Sequence, residues 1–282
     1  LYFYFSNSLE SKWLVFVISV SLLFSISLID DIKNLPTLPR LSVHLICVVL
    51  SVFFFKEDIV NYLNNLDIKL FSNIHSYFIF YGFSFVVIFV WLWLINLFNF
   101  MDGMDGLTGL QMIFLGLITN FMSLTNQMSQ NYQFLSLVIL AVFLAFFRLN
   151  KPPAKIFLGD SGSIVCGYIA GFILLDTLIS SGPFISLLII LLYFISDSTI
   201  TLIIRIFKKK NIFTAHSGHF YQKSIRSGKS HKTVLNKIII LMLGLTTLSF
   251  FAIKFVYFSL ILAILFSLTL LIYFNKNSEK NE

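Results

Sequence analysis

The stretch NLFNFMDGMDGLTG (96–109) sets two aspartates between glycines directly after a long apolar run. Asn96, Asn99, Asp102 and Asp105 recur at every third position. A helix reaching about Asn99 would turn the two asparagines to neighbouring faces, and Gly103 and Gly106 would then allow a tight turn whose backbone can approach a ligand. Three other stretches carry similar groups. LIDDIKNLPTLPR (28–40) holds Asp30, Asp31 and Arg40, and RLNKPPAKIFLGDSGS (148–163) holds Lys151, Lys155 and Asp160. In KKKNIFTAHSGHFYQK (208–223), His216 and His219 stand three apart. Asn and Asp oxygens suit Mg²⁺, and Lys, Arg and His suit phosphate. Phosphoryl transfer is mostly positioning and charge neutralisation, so these groups suggest metal-dependent chemistry on a phosphate compound.

Each stretch also has a plainer structural reading. The DD pair could be a solvated helix end, and the Asn-Asp-Gly run a helix stop rich in turn formers. Ser161 and Ser163 are placed to cap the following helix, whose free amides, with Lys151 and Lys155 just upstream, would form an anion site. The histidine pair invites a zinc reading, but the glutamate of the H-E-x-x-H pattern is absent and the spacing differs. Phosphate contact or proton transfer fits those histidines better.

The elements that must position these groups are membrane helices. Of 282 residues, 57% are hydrophobic, only 12% are charged and 34 are phenylalanine, well away from the roughly 25% charged of a soluble domain. Apolar runs near 13–29, 41–55, 77–98, 107–122, 133–147, 163–179, 184–204, 236–252 and 255–274 predict nine spans, each near the roughly 17–25 residues that cross a bilayer. The fold class expected is all-α, one polytopic domain over residues 1–282, with no repeat or linker. With alternating crossings, sixteen of the twenty Lys and Arg fall on one side, which the positive-inside rule makes cytoplasmic. All four polar stretches fall on that same side. The net charge of +7 then reads as a topology signal, and no nucleic-acid partner is expected.

Cys47 and Cys166 fall inside predicted helices as small buried hydrophobes, so no metal or disulfide framework is indicated. Asp197 lies within the seventh span, eight residues before Arg205. An intramembrane carboxylate is a functional candidate. The opening LYFYFS begins on Leu1 and reads as the tail of an interrupted apolar segment, which suggests residues upstream.

Four ordered motifs, from about Asp30 to Gln222, resemble the polyprenyl-phosphate N-acetylhexosamine-1-phosphate transferases. This is glycosyltransferase family 4, which includes the phospho-N-acetylmuramoyl-pentapeptide transferases. The resemblance rests on the DD pair, N-x-x-N-x-x-D-G-x-D-G, F-x-G-D-x-G-S and the His-rich loop. It implies that undecaprenyl phosphate attacks a UDP-N-acetylhexosamine, giving undecaprenyl-diphosphate-sugar and UMP, in a bacterial cytoplasmic membrane with the active site on the cytoplasmic side. By the same pattern Asn99 and Asp160 would hold Mg²⁺, with Mn²⁺ as an admissible substitute. Asp30 and Asp31 would sit beside the lipid phosphate, Asp102 and Asp105 would shape the nucleotide pocket, and His216 and His219 would touch the diphosphate or sugar. Arg40, Asn96 and Lys155 complete the expected substrate-binding set, and a homodimer is admissible. For Asp197 the resemblance implies a structural or pocket-supporting role.

The loop AHSGHFYQ departs from adjacent-histidine members and looks more like the O-antigen initiating branch. The family's usual one or two further helices and Pro-Arg-Gly-rich first loop do not precede the DD pair, which agrees with residues upstream. Two other classes share the composition. A transporter would place its polar groups near the membrane midplane. An intramembrane aspartyl protease would pair Asp160 with a carboxylate such as Asp105 and need no metal.

Overall fold

The computed structural model describes residues 11–66, 76–211 and 217–279. Among them there is no strand, and the helices in chain order are α1 (Ser11–Lys33), α2 (Thr37–Phe54), α3 (Lys56–Asn65), α4 (Ser76–Met101), α5 (Leu107–Leu124), α6 (Asn131–Asn150), α7 (Gly159–Ile179), α8 (Phe184–Phe207), α9 (Phe220–Arg226), α10 (His231–Phe251) and α11 (Val256–Glu279). Nine of these described helices, all but α3 and α9, are long and apolar enough to cross a membrane. The chain is therefore a multi-pass, all-α membrane protein, as its apolar runs predict. Phe78, Phe85 and Phe89 form an exposed apolar stripe along one side of α4, at helical spacing.

Three boundaries differ from the apolar pattern. α7 starts at Gly159 and not near 163, so GDSGS forms its first turn. α4 continues to Met101, past the expected stop near Asn99. α10 starts at His231, because Ser230 accepts from the Thr233 amide at 3.1 Å and caps it. Two short helices, α3 and α9, occupy stretches read from sequence as plain surface and loop. Hydrophobic periodicity marks what must be buried or lipid-covered, and polar helix ends carry no such mark.

The helices divide into two compact units. One comprises the described residues within Leu1–Asn99 and Leu158–Gly182, with α7 as its buried centre against α1. Its core is aromatic: Phe16 meets Phe172 at 4.6 Å between ring centroids, and Trp91 stacks on Tyr168 at 5.1 Å. Small residues on α7 let α4 approach closely. A Cβ at Gly171 would collide with the Trp91 indole, and one at Gly167 would lie 2.6 Å from the Ile95 Cα. One further turn along, Ser163 accepts a hydrogen bond from Asn99 at 3.3 Å. The pairs 171 with 91, 167 with 95 and 163 with 99 thus form a regular antiparallel ladder of small residues, the usual means of close helix packing in lipid.

The second unit comprises the described residues within Phe100–Phe157 and Pro183–Glu282. Here α5 is the buried centre, packed on α6 and α8. Gln111 of α5 donates from its side-chain nitrogen to the Ile190 carbonyl of α8 at 3.0 Å, which ties the two helices together inside the unit. α10 and α11 pack on each other and on α8, and the short α9 rests on α11.

Candidate active site

In the first unit the C-terminal end of α1, the first turns of α2, the end of α4 and the start of α7 bring five predicted site residues together: Asp30, Asp31, Arg40, Asn99 and Asp160. Asn34 takes a positive φ of 49° and ends α1. The Asp30 side chain caps that turn by accepting from the Leu35 amide at 2.7 Å. Arg40 donates from one guanidinium nitrogen to Asp30 and, at 3.2 Å, to Asp160. Asn99 donates from Nδ2 to Asp160 Oδ1 at 2.8 Å, which leaves its amide oxygen as a hard donor.

Asp31 occupies the start of α7. Its two oxygens accept from the Asp160 and Ser161 amides, each at 3.1 Å. This corrects the capping expectation: Ser161 and Ser163 lie inside α7, no residue of α7's own start caps it through a side chain, and the cap comes from α1. The anion site expected at this helix start holds a carboxylate of the chain itself. Gly159 has φ of +70°, and a Cβ there would lie 2.8 Å from Asp31 Oδ2, so glycine is required twice over.

Two carboxylates, Asp30 and Asp160, share the Arg40 guanidinium, and Asp31 lies beside them on the Asp160 amide. The surplus of two negative charges and the hard oxygen donors fit a divalent cation such as Mg²⁺, which is usually held by one or two carboxylates with water and substrate phosphate completing its shell. Among the described residues no three His, Cys, Asp or Glu side chains converge as a metal cage. Asn96 is not part of the cluster: its amide donates back to the Leu92 carbonyl of its own helix at 2.8 Å.

In the second unit the turn after α4 carries Asp102 and Asp105. Asp105 accepts from the Ala154 amide at 3.1 Å and pairs at 3.1 Å with His231 Nδ1. Asn150 accepts from the Gly106 amide at 2.9 Å and donates to the Ile156 carbonyl at 2.8 Å. These contacts tie the loop bearing exposed Lys155 to the Asp-Gly turn. Gly106, with φ of +79°, lies where a Cβ would press on Leu235 and Phe147.

Asp197 is fully buried in α8 and accepts from the Phe220 amide at 3.0 Å and the Tyr221 amide at 3.3 Å, so it caps α9 from another helix. It also lies 3.2 Å from His219 Nδ1. This is the supporting role expected of Asp197, and it leaves His219 almost wholly buried, at 2% exposure. Tyr221 donates to the Phe100 carbonyl and accepts from the Gly103 amide, both at 3.1 Å, which pins the turn bearing half-buried Asp102. Burial first, and then the Asp197 carboxylate, push the Tyr221 phenol well above its ordinary value, so it stays a donor. His216 lies outside the described residues.

Sequence reasoning passed over Tyr221, His231, Asn150 and the Gly167–Gly171 pair. Tyr221 and Asn150 stood inside quoted motifs, but only their partners reveal their work. The glycine spacing on an apolar run was a readable signal for close helix packing.

Comparison with known proteins places this geometry. Over 113 residues, 39% of the chain, it is 34% identical to a Bacillus subtilis (strain 168) protein named probable undecaprenyl-phosphate N-acetylglucosaminyl 1-phosphate transferase, covering 31% of that protein. Over 217 residues, 71% of the chain, it is 32% identical to the phospho-N-acetylmuramoyl-pentapeptide-transferase of Prochlorococcus marinus, covering 55% of that protein. The chain thus spans about a third and just over half of the length of these curated relatives. The family model of glycosyl transferase family 4 matches residues 13–178, a range that takes in the whole Asp30–Arg40–Asn99–Asp160 cluster. The chain belongs to glycosyl transferase family 4.

Proposed function

We propose that this chain carries the activity of a Mg²⁺-dependent UDP-N-acetylhexosamine:polyprenyl-phosphate sugar-1-phosphate transferase. It would act at the cytoplasmic face of a bacterial inner membrane and initiate a surface glycan. The observation that carries this reading is the shared guanidinium: Asp30 and Asp160 both accept from Arg40, Asn99 donates to Asp160 and Asp31 holds the Asp160 amide, at the ends of membrane-length helices. Such a cluster suits a divalent cation and a phosphate presented by a lipid. The names of the two relatives agree, one specifying undecaprenyl phosphate and N-acetylglucosaminyl 1-phosphate.

In the proposed reaction an oxygen of the lipid phosphate bonds to the sugar-bearing β-phosphorus. The bond from that phosphorus to the bridging oxygen breaks, and UMP leaves with the electron pair. One phosphoanhydride replaces another, so the step is close to thermoneutral. A phosphate monoester is already mostly dianionic at neutral pH, so the nucleophile needs no strong base. Asn99 and Asp160 would hold Mg²⁺, which when bound neutralises charge on the diphosphate. Arg40 orients the acceptor phosphate. Asp31 acts by fixing the start of α7, and with it Asp160. By the family pattern Asp102, Asp105, Lys155 and His216 would contribute to nucleotide-sugar binding.

Among the described residues, the two aspartates of the protease alternative are engaged with other groups. Asp160 holds Asn99 and Arg40, while Asp105 holds Ala154 and His231. The test is UMP release from undecaprenyl phosphate and a panel of UDP-N-acetylhexosamines, with Mg²⁺ present and then chelated. Release that needs both lipid phosphate and metal is expected. Folded protein that releases no UMP with any sugar would overturn the proposal.

A further inference from the structure

Beneath the Asp30–Arg40 contact, α1 and α2 bury polar atoms that the chain itself leaves unpaired. His44 is 3% exposed, and neither ring nitrogen has a hydrogen-bond partner among the described residues. The same holds for Arg40 Nε and for the hydroxyl of Ser27, itself 1% exposed. Their placement is set by an antiparallel register. Arg40 meets Asp30 at one end, and the Cys47 thiol meets the Ser19 carbonyl at 3.9 Å further along. His44 lies between those two contacts on α2, one helical turn from Arg40, and Ser27 lies between them on α1. Membrane segments do not leave polar groups unsatisfied in a dry core, so these atoms call for an occupant.

The unpaired set is rich in donors. Arg40 Nε can only donate, and His44 and Ser27 each bring at least one N–H or O–H. A donor-rich, buried site beside a guanidinium takes an oxyanion. On the outer side of α2, Leu41, Leu45 and Val49 are exposed, so an apolar chain attached to that oxyanion has an apolar surface to lie along. We propose that His44, with Ser27 and Arg40 Nε, is a further binding element for the phosphate monoester of the acceptor lipid, set one turn deeper than the Asp30–Arg40 pair. This deepens the transferase reading and rests on it for the identity of the lipid.

The experiment compares binding of undecaprenyl phosphate and undecaprenol to the full chain in lipid nanodiscs, read by tryptophan fluorescence, with inorganic phosphate as competitor. Wild-type protein is expected to prefer the phosphorylated lipid at least tenfold. His44→Leu should lose that preference, while its thermal midpoint without lipid holds or rises, because an unpaired buried imidazole has been removed. His44→Gln should stay within threefold of wild type. Ser27→Ala, a smaller change on the facing helix, should weaken the preference at least threefold, and it decides alone if His44→Leu is not recovered folded. Competition by inorganic phosphate in wild type but not in His44→Leu would place the bare anion in this site. Both variants keeping wild-type preference, or wild type binding the two lipids equally, would overturn the inference. UMP release is read separately: phosphate-dependent binding without release would reject the transferase and leave His44 in place.

Discussion

Gly167→Ala adds one methyl group at the tightest point of the α4–α7 ladder. The new Cβ would lie 2.6 Å from the Ile95 Cα, 3.0 Å from the Leu94 carbonyl oxygen and 3.2 Å from the Ile95 nitrogen. All three are backbone atoms, so no rotamer change relieves them. Carbon pairs rest at about 3.5–4.0 Å, and the helices must therefore part by about 1 Å. Asn99 sits one turn along α4 from Ile95, and its 2.8 Å bond to Asp160 would lengthen past hydrogen-bond range if the helix moves as a rod. Overpacking of this kind costs about 1–3 kcal/mol, and a displacement of about 1 Å at a reacting geometry can cost roughly 100-fold in rate. The assay is UMP release alongside thermal unfolding. Gly82→Ala on the same helix is the control, because a Cβ there meets nothing within 4 Å and helix propensity favours it by up to about 1 kcal/mol. The control is expected to turn over normally. Turnover of Gly167→Ala within threefold of wild type would refute the ladder as what sets Asn99 against Asp160.

Asp160→Asn and Asn99→Ala should each lower turnover by on the order of 10²–10³, the scale of losing one charge-stabilising group, with membrane insertion intact; near-normal turnover in either would remove the proposed metal site. Asp197→Ala strips the buried acceptor from the Phe220 and Tyr221 amides and from His219. Breaking a buried partnership of this kind costs about 3–5 kcal/mol, so the variant should unfold well below wild type, and an unchanged midpoint would contradict the cap. Tyr221 gives a pH dependence. Its folded-state phenol titrates above the roughly 10 of an unfolded tyrosine, so the unfolded chain gives up that proton first and stability falls as pH rises past about 10. Tyr221→Phe should flatten that alkaline decline, and an equally steep decline in the variant would assign it elsewhere.

Much of the fold was legible because lipid imposes a length and an apolar composition that a sequence displays openly. All nine expected runs coincide with described helices of membrane length, and the errors sit at polar ends, as at Gly159 and His231. Those ends are fixed by contacts distant in sequence. Nothing local in GDSGS shows that a carboxylate 129 residues away will cap it. In α9 the amides after His219 likewise depend on Asp197, 23 and 24 residues back. The DD, Asn99 and Asp160 motifs were readable as a set because four clusters of hard oxygens and basic groups recur at helix ends on one side of the apolar runs, although Asp30 and Asp31 also serve the plainer role of caps. His44 gave no such signal, since a lone histidine in an apolar helix is usually a satisfied core residue, and only the missing partners set it apart.

The aspartates that look alike in sequence separate by what their oxygens hold. Asp31 accepts from two helix-start amides, Asp197 from two others, Asp105 from the Ala154 amide and Asp30 from Leu35. Drawing any of these carboxylates toward a ligand would strand a backbone donor, at a cost of about 1 kcal/mol for each lost cap. Asp160 differs, because its oxygens meet the side chains of Asn99 and Arg40. Those partners can turn to a cation or a phosphate and remain satisfied. Its own backbone amide is meanwhile fixed by Asp31, so the carboxylate that is freest to exchange ligands hangs from one of the firmest points in the cluster. That combination of a held main chain and an exchangeable side chain is what a metal ligand in a turnover site needs, and it supports the role proposed for Asp160.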